Sequence, residues 1–335
     1  MVRASVIIVN FNQISHLKTC LYSLKDSLSK DDEVIVVDNH SLDSSSVTLL
    51  LLFPWINLIE SEQNLGFGGG NNLGARYANG KYLAFLNPDT TVTPGWLDSL
   101  IYAMETTPHA GMVTPKIILR NDPTKINACG NNIHMTGLTL CRGVNKPERF
   151  YNCCKKVNAV SGAAFLIERD WYEQLGGFDE VFFLYLEDTD LSLRSRFAGR
   201  NCLFVPNAII YHDYQLKLTQ EKLFFLERNR YLMLLKNFHF LTLVLLLPAL
   251  LLSEIITWVF VFLEDQKLWK FKIRSYAWVL RNRKVIIRSR AEIRPLRKLR
   301  DREILKSHVC TLAFEQLEPG LISTAAHLLF DPLFF

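Results

Sequence analysis

The chain has 335 residues, 49% of them apolar, and 38 Lys/Arg against 33 Asp/Glu give a formal net charge of +5. Such an apolar share is high for a soluble domain and too low for a multi-span membrane protein, and the length allows one large domain with an appendage. The seven cysteines are odd in number and show no C-x-x-C pairing, which argues against a disulfide framework or a zinc site.

Ser5–Asn10 (SVIIVN) is a β-branched run without polar alternation, the pattern of a strand covered on both faces. Met1 to Ala4 leads straight into it with no signal-peptide pattern, so a reducing cytosol is the expected compartment for most of the chain. Leu17, Leu21 and Leu24 recur at helical spacing through Ile14–Ser27. Val34–Asp38 is a second buried strand ending in an acid, Ser41–Leu52 a helix, Trp55–Glu60 a third strand and Tyr82–Leu86 a fourth. This order predicts an α/β fold with a mostly parallel sheet flanked by helices. Past Pro94 the pattern predicts a helix to about Thr106, a strand at Met112–Ile118, and long polar loops from Arg120 to Lys156. Structure resumes with Val157–Glu168, helices from Arg169 and near Glu187, short strands at Cys202–Val205 and Ala208–Tyr211, and a helix over Thr219–Asn237.

Several residues in this frame could carry chemistry. The strand LAFL at Leu83–Leu86 runs into Asn87-Pro88-Asp89-Thr90, a kinked turn with one carboxylate. Strand ends of open α/β sheets bind ligands, and a carboxylate there suits a hard divalent cation under a diphosphate, although the same residues also make an ordinary Asx turn. Asn64–Gly74 holds five glycines in eleven residues without a Gly-Lys-Ser/Thr ending, so it is not a P-loop. Its glycines would let a ligand approach the backbone, with Gly70 or Asn71 opening a helix toward a phosphate, or would form a flexible loop. Glu187-Asp188 follows an aromatic run; the acids either favour a helix N-terminus or, with apolar neighbours raising the pKa, supply a general base. His212 ends a short strand and could complete a metal site begun by Asp89, or be structural.

Eight pieces then appear together in one order: SVIIVNFN at Ser5–Asn12, VVDN at Val36–Asn39, NLGFGGGNNLG at Asn64–Gly74, LNPDT at Leu86–Thr90, SGAAFLIER at Ser161–Arg169, GGFDE at Gly176–Glu180, FLYLEDTDLSLR at Phe183–Arg194 and ERNRYLMLLKN at Glu227–Asn237. Over about residues 3–237 the chain resembles family 2 glycosyltransferases of the GT-A fold, especially the rhamnosyltransferase-like members. The resemblance implies that Asp38 contacts the nucleotide, with Asn10 and Phe11 alongside and Asn87 at the donor site. Asp89 would be the surviving acid of the D-x-D metal motif, since Asn87 stands where many members have the first Asp. His212 would match the late metal ligand, and Arg76 would reach the diphosphate. Asp188 would be the catalytic base with Glu187 beside it. The implied activity is inverting, Mg²⁺- or Mn²⁺-dependent transfer of a sugar such as rhamnose from a dTDP- or UDP-sugar to a hydroxyl of a glycan or lipid-linked glycan. Alternatives are a polyprenyl-phosphate glycosyltransferase, disfavoured by Asn87, and an inactive membrane scaffold, disfavoured by retention of Asp38, Asp89, Asp188 and His212.

The remainder divides into an apolar segment, 238–263, and a basic region, 264–335, after the catalytic domain 1–237. Phe238–Leu263 is long enough to span a bilayer, but His239, Pro248 and Glu254 interrupt it. From Glu264 to Lys306 there are 15 Lys/Arg against five Asp/Glu, a charge suited to anionic lipid headgroups. An in-plane or hairpin association with the membrane is expected over a span, because the basic region and the nucleotide-dependent domain both belong on the cytosolic side. A buried core helix is the bland alternative. The expected location is the cytoplasmic face of the plasma membrane, and no nucleic-acid-binding fold is discernible in the basic region. Cys310–Phe335 is apolar at its end and receives no assignment.

Overall fold

The computed structural model describes residues 2–42, 45–214 and 218–309, so the Cys310–Phe335 segment lies outside the described residues. Strands β1 (Ala4–Asn10), β2 (Asp32–Asp38), β3 (Asn57–Glu60) and β4 (Tyr82–Leu86) are joined through helices α1 (Ile14–Lys25), α2 (Ser45–Leu52) and α3 (Gly66–Tyr77). β1 pairs in parallel with β2 and β4, and β2 with β3, so all four strands end at the same edge. Helices cover both sides, which buries Val6, Ile7, Ile8, Val36 and Phe85 completely and explains why these runs show no alternation.

The second half of the chain adds β5 (Thr90–Val92), α4 (Trp96–Thr106), β6 (Ala110–Leu119), β7 (Ile126–Ala128), β8 (Asn131–Ile133), β9 (Thr139–Cys141), β10 (Lys155–Val157), β11 (Ala164–Glu168), α5 (Arg169–Gln174), α6 (Glu187–Phe197) and β12 (Asn201–His212). The main sheet runs β10-β12-β6-β11-β4-β1-β2-β3, with β5 on β12 and β7 on β6. It is parallel around β1 and mixed beyond β4, because β11 enters antiparallel between β4 and β6. The 120–156 stretch, expected as loops, in fact contributes β7 to β10. Each is three residues long, too short for a period-two pattern to register. The two strands expected between Cys202 and Tyr211 are one strand with a register shift between Val205 and Ile209, at Pro206, which has no N–H to offer the ladder.

The C-terminal helices are α7 (Gln220–Asn237), α8 (Phe240–Leu245), α9 (Leu247–Glu264), α10 (Trp269–Arg281), α11 (Arg283–Ile293) and α12 (Asp301–Leu305). Leu232 and Met233 of α7 share one core with Phe182, Leu193, Phe197, Ile286 and Ile304. Lys236 of α7 bridges Asp179 at 2.7 Å and Asp190 at 2.8 Å, and Arg194 closes on Asp190 at 2.8 Å. All these groups are buried or nearly so, and removing one partner from such a cluster costs about 3–5 kcal/mol. Pro248 lies in the first turn of α9, where its missing N–H forfeits no helical bond, and the apolar run is thereby split into α8 and α9.

Candidate active site

The parallel strands bring Asn10 and Asp38 to adjacent strand ends in register. The Asn10 amide lies 3.4 Å from Asp38 Oδ1 and donates at 3.1 Å to Ser41 Oγ, while the Phe11 ring beyond it is 41% exposed. β4 pairs with β1 in parallel on the side opposite β2, so Asn87 and Asp89 follow at the same edge. β5 then pairs antiparallel with β12 in the register Thr90↔His212, and Asp213 N–H donates to the Asp89 carbonyl at 2.9 Å. That pairing, invisible in the sequence, is what carries His212 to Asp89 across 122 intervening residues.

His212 Nε2 is 3.2 Å from Asp89 Oδ1, and its Nδ1 is 2.9 Å from Asn127 Oδ1. With Nδ1–H donated to Asn127, the Nε2 lone pair faces the carboxylate, an arrangement that calls for a proton or a cation between them. Asn87 Oδ1 is buried nearby without a hydrogen-bond partner. Asp89 and His212 therefore fit two ligand positions of a divalent ion. Among the described residues no third His, Cys, Asp or Glu joins them, so a bound cation would draw its other ligands from substrate oxygens and water.

The glycine-rich stretch has a different role from the expected one. α3 begins at Gly66, not at Gly70 or Asn71, and its glycines contact protein. A Cβ on Gly70 would stand 2.7 Å from Val9, and one on Gly74 2.6 Å from Ile7, so these residues let α3 settle onto the sheet. Gly66, at φ +71°, abuts the Phe183 carbonyl. Asn39, the last residue of the VVDN motif, ties the start of α3 down: its amide donates to Asn64 Oδ1 at 3.0 Å and to the Gly66 carbonyl at 3.1 Å, and its Oδ1 accepts Leu65 N–H; nothing in its sequence context singles it out. Arg76 does not join the cleft. It lies exposed in the last turn of α3, about 15 Å along the axis from Gly66 at 1.5 Å per residue.

Glu187 and Asp188 open α6 after a loop in which Phe183, Tyr185 and Leu186 all have positive φ. Such conformations cost energy in non-glycine residues and persist only where neighbours enforce them. Here the enforcement comes from α7. Asn229 donates to the carbonyls of Phe182, Leu184 and Tyr185 at 3.0, 2.8 and 2.6 Å, and Arg228 donates to that of Val181 at 2.8 Å. The signal for this was the polar Glu227-Arg228-Asn229-Arg230 run inside an otherwise apolar helix; its residues are buried, which periodicity alone does not reveal.

Both acids are buried. Burial pushes the Glu187 carboxyl up to about 8, with the neighbouring Asp188 charge adding to the effect, and its Oε2 has no partner. Burial also raises Asp188, but Thr189 N–H and Gly162 N–H, both at 2.7 Å, favour its anion. With its carboxyl at about 8, Glu187 holds a proton at neutral pH, while the two backbone donors favour the Asp188 anion against its burial. Gly162 belongs to the turn whose next residue, Ala163, accepts the Asn87 N–H at 2.9 Å. One turn thus joins the base candidate to the strand end that leads to Asp89. Asp190, by contrast, is held below the usual carboxylate range: burial opposes its ionisation, but Lys236 and Arg194 outweigh it.

The cleft beside Asn87, Asp89 and His212 has a volume of about 700 Å³ and is also lined by Lys222 in the first turn of α7. Burial lowers the Lys222 pKa, and its ammonium lies 5.4 and 5.6 Å from the Tyr185 and Tyr214 ring centres. The sequence offered no reason to select this lysine.

The profile of glycosyl transferase family 2 matches residues 5–176. An N-acetylglucosaminyl-diphospho-decaprenol L-rhamnosyltransferase of Mycobacterium tuberculosis is 29% identical over 231 residues, covering 62% of this chain and 75% of that protein. The rhamnosyltransferase WbbL of Escherichia coli is 27% identical over 230 residues, covering 62% of this chain and 84% of that protein. In structure, the mannosyltransferase PcManGT from Pyrobaculum calidifontis, solved with GDP-Man and Mn²⁺, matches at TM-score 0.52 and 13% identity over 99% of this chain and 80% of its own. GalNAc-T7, solved with UDP, GalNAc and Mn²⁺, matches at TM-score 0.55 and 20% identity over 64% of this chain and 44% of its own. The chain belongs to glycosyltransferase family 2 and has the GT-A fold.

Proposed function

We propose that this glycosyltransferase transfers rhamnose, from a dTDP- or UDP-linked donor, to a hydroxyl of a lipid-linked glycan with inversion at the anomeric carbon. The two rhamnosyltransferase relatives support the sugar, and the decaprenol-linked substrate in the name of the first supports the acceptor class. The observation that carries the mechanism is the shared turn at Gly162–Ala163, which ties Asp188 to the Asn87–Asp89 strand end. Asp38, with Asn10 beside it, binds the nucleoside; the exposed Phe11 ring offers a stacking face. Asp89 and His212 would hold a divalent cation, and the chemistry it would supply there is neutralisation of charge on a departing diphosphate. Lys222 presents a second positive charge to the same oxygens. Asp188 takes the proton from the acceptor hydroxyl on the opposite side. No protonated acid is needed at the leaving group, unlike in a glycoside hydrolase.

Two experiments test this reading. A thermal-shift panel of UDP, dTDP, GDP and CMP, each with and without Mn²⁺, should give a metal-dependent shift for one nucleotide. Incubation with dTDP-rhamnose and a GlcNAc-diphospho-polyprenol should then yield the disaccharide lipid, and Asp188→Asn should lower that yield about 10³-fold while the nucleotide shift persists. Absence of any nucleotide shift, or an Asp188→Asn enzyme at near-normal rate, would overturn the proposal.

A further inference from the structure

α9 is the one described helix with the length and apolarity of a bilayer span, at 18 residues and mean hydropathy 1.8, yet only 22% of it is buried. It is therefore not a core helix. Its inward side carries polar groups between the buried Ala249, Ile256 and Val261. Glu254 accepts hydrogen bonds from Arg230 and Tyr231 of α7 and from Tyr276 of α10, and Lys272 lies 3.4 Å away. Burial opposes ionisation of Glu254, but Arg230 and Lys272 outweigh it and hold its pKa down to about 2. Lys272 also donates to Thr257 at 2.7 Å, and Arg230 to Ser253 at 3.3 Å. Three successive polar side chains of α9 thus face the protein.

The outward side is apolar. Leu241 and Leu245 of α8 and Leu251, Ile255 and Phe262 of α9 are each more than half exposed. α10 continues the pattern with two adjoining stripes. Trp269, Ile273 and Leu280 are exposed within about 40° of one another on a 100° per residue wheel, and the exposed Lys270, Arg274 and Arg281 form the neighbouring stripe. Apolar side chains with a tryptophan beside a row of cations match the boundary between acyl chains and anionic headgroups.

We infer that the outward face of α8, α9 and α10 is a docking surface for an anionic lipid bilayer, and that α9 lies in the plane of the membrane without crossing it. A crossing would expose Glu254 to lipid and separate it from Arg230 and Lys272, which belong to the catalytic domain and to α10. The 15 Lys/Arg against five Asp/Glu between Glu264 and Lys306 favour a negatively charged surface over a second copy of this positively charged region.

The test is flotation of the full chain, without detergent, on vesicles of phosphatidylcholine alone or with one third phosphatidylglycerol. The protein should partition at least tenfold better onto the anionic vesicles and be released by alkaline carbonate. Leu245→Asp with Phe262→Asp should lower partitioning at least tenfold with an unchanged melting temperature and unchanged nucleotide-induced thermal shift, whereas Tyr102→Ser, at an exposed position on α4, should leave it unaltered. Equal partitioning of wild type and the double variant, or a stable dimer in sedimentation that the double variant abolishes, would overturn the docking surface. Retention in carbonate would overturn the in-plane placement. The nucleotide shift is read separately, so failure of the catalytic reading and failure of this one are distinguishable.

Discussion

Asp188 Oδ2 accepts the backbone N–H of Gly162 at 2.7 Å, and this bond fixes the carboxylate relative to the strand that carries Asn87 and Asp89. The position has no spare room. A Cβ on Gly162 would stand 3.1 Å from that same oxygen. Gly162→Ala should therefore displace the carboxylate by a few tenths of an ångström and lower kcat about tenfold, with KM for the nucleotide-sugar little changed. Steady-state kinetics with the donor varied would show the split; a rise in KM alone would place the substitution's effect on binding instead.

The buried Glu187 makes stability depend on pH. Its carboxyl rises from an ordinary 4.5 to about 8 on folding, so the folded chain is protonated where the unfolded chain is ionised. The stabilisation is full below about 4.5 and is lost as pH rises through about 8. Glu187→Gln carries no charge in either state and escapes that loss. Denaturant melts should show the variant close to wild type near pH 5 and more stable near pH 9, by an amount on the order of 4 kcal/mol.

At the metal position, Asp89→Asn replaces a carboxylate facing an imidazole lone pair with a group that can donate to it. The variant should melt no lower than wild type without metal. It should also lose the Mn²⁺-dependent shift given by a nucleoside diphosphate. His212→Ala should lose the same shift, and it also leaves Asn127 Oδ1 without its 2.9 Å contact. Thermal melts with and without Mn²⁺ separate the two variants.

Asn229 holds a strained loop from a distance in sequence. Asn229→Ala removes three bonds to carbonyls; Arg228 still donates to that of Phe182, but those of Leu184 and Tyr185 lose this donor, at a cost of about 2–4 kcal/mol in total. Chemical denaturation should record that loss. Activity should fall further than stability explains under conditions where the variant remains folded, since Leu186, at positive φ, sets the start of α6 and hence of Asp188.

The sequence alone determined a good deal here. Continuous apolar runs such as Ser5–Asn10 and Val34–Asp38 specify strands covered on both faces, and their order specifies the α/β sheet, because local side-chain pattern and connection length suffice for both. It also marked Asp89, Asp188 and His212, each placed just past an apolar run. Tertiary structure decided which of these meet. His212 reaches Asp89 through the β5–β12 register, Asp188 is oriented by a turn between β10 and β11, and Arg76 is carried away from the cleft by the length of α3. The glycines of α3 looked like a ligand cradle because a sequence does not say whether the atom that needs the room belongs to a ligand or to Val9. Hydropathy likewise described α9 as a single apolar run. Only packing shows that Ser253, Glu254 and Thr257 turn toward Arg230 and Lys272 while the apolar side faces out, since which face of a helix is covered depends on partners from elsewhere in the chain.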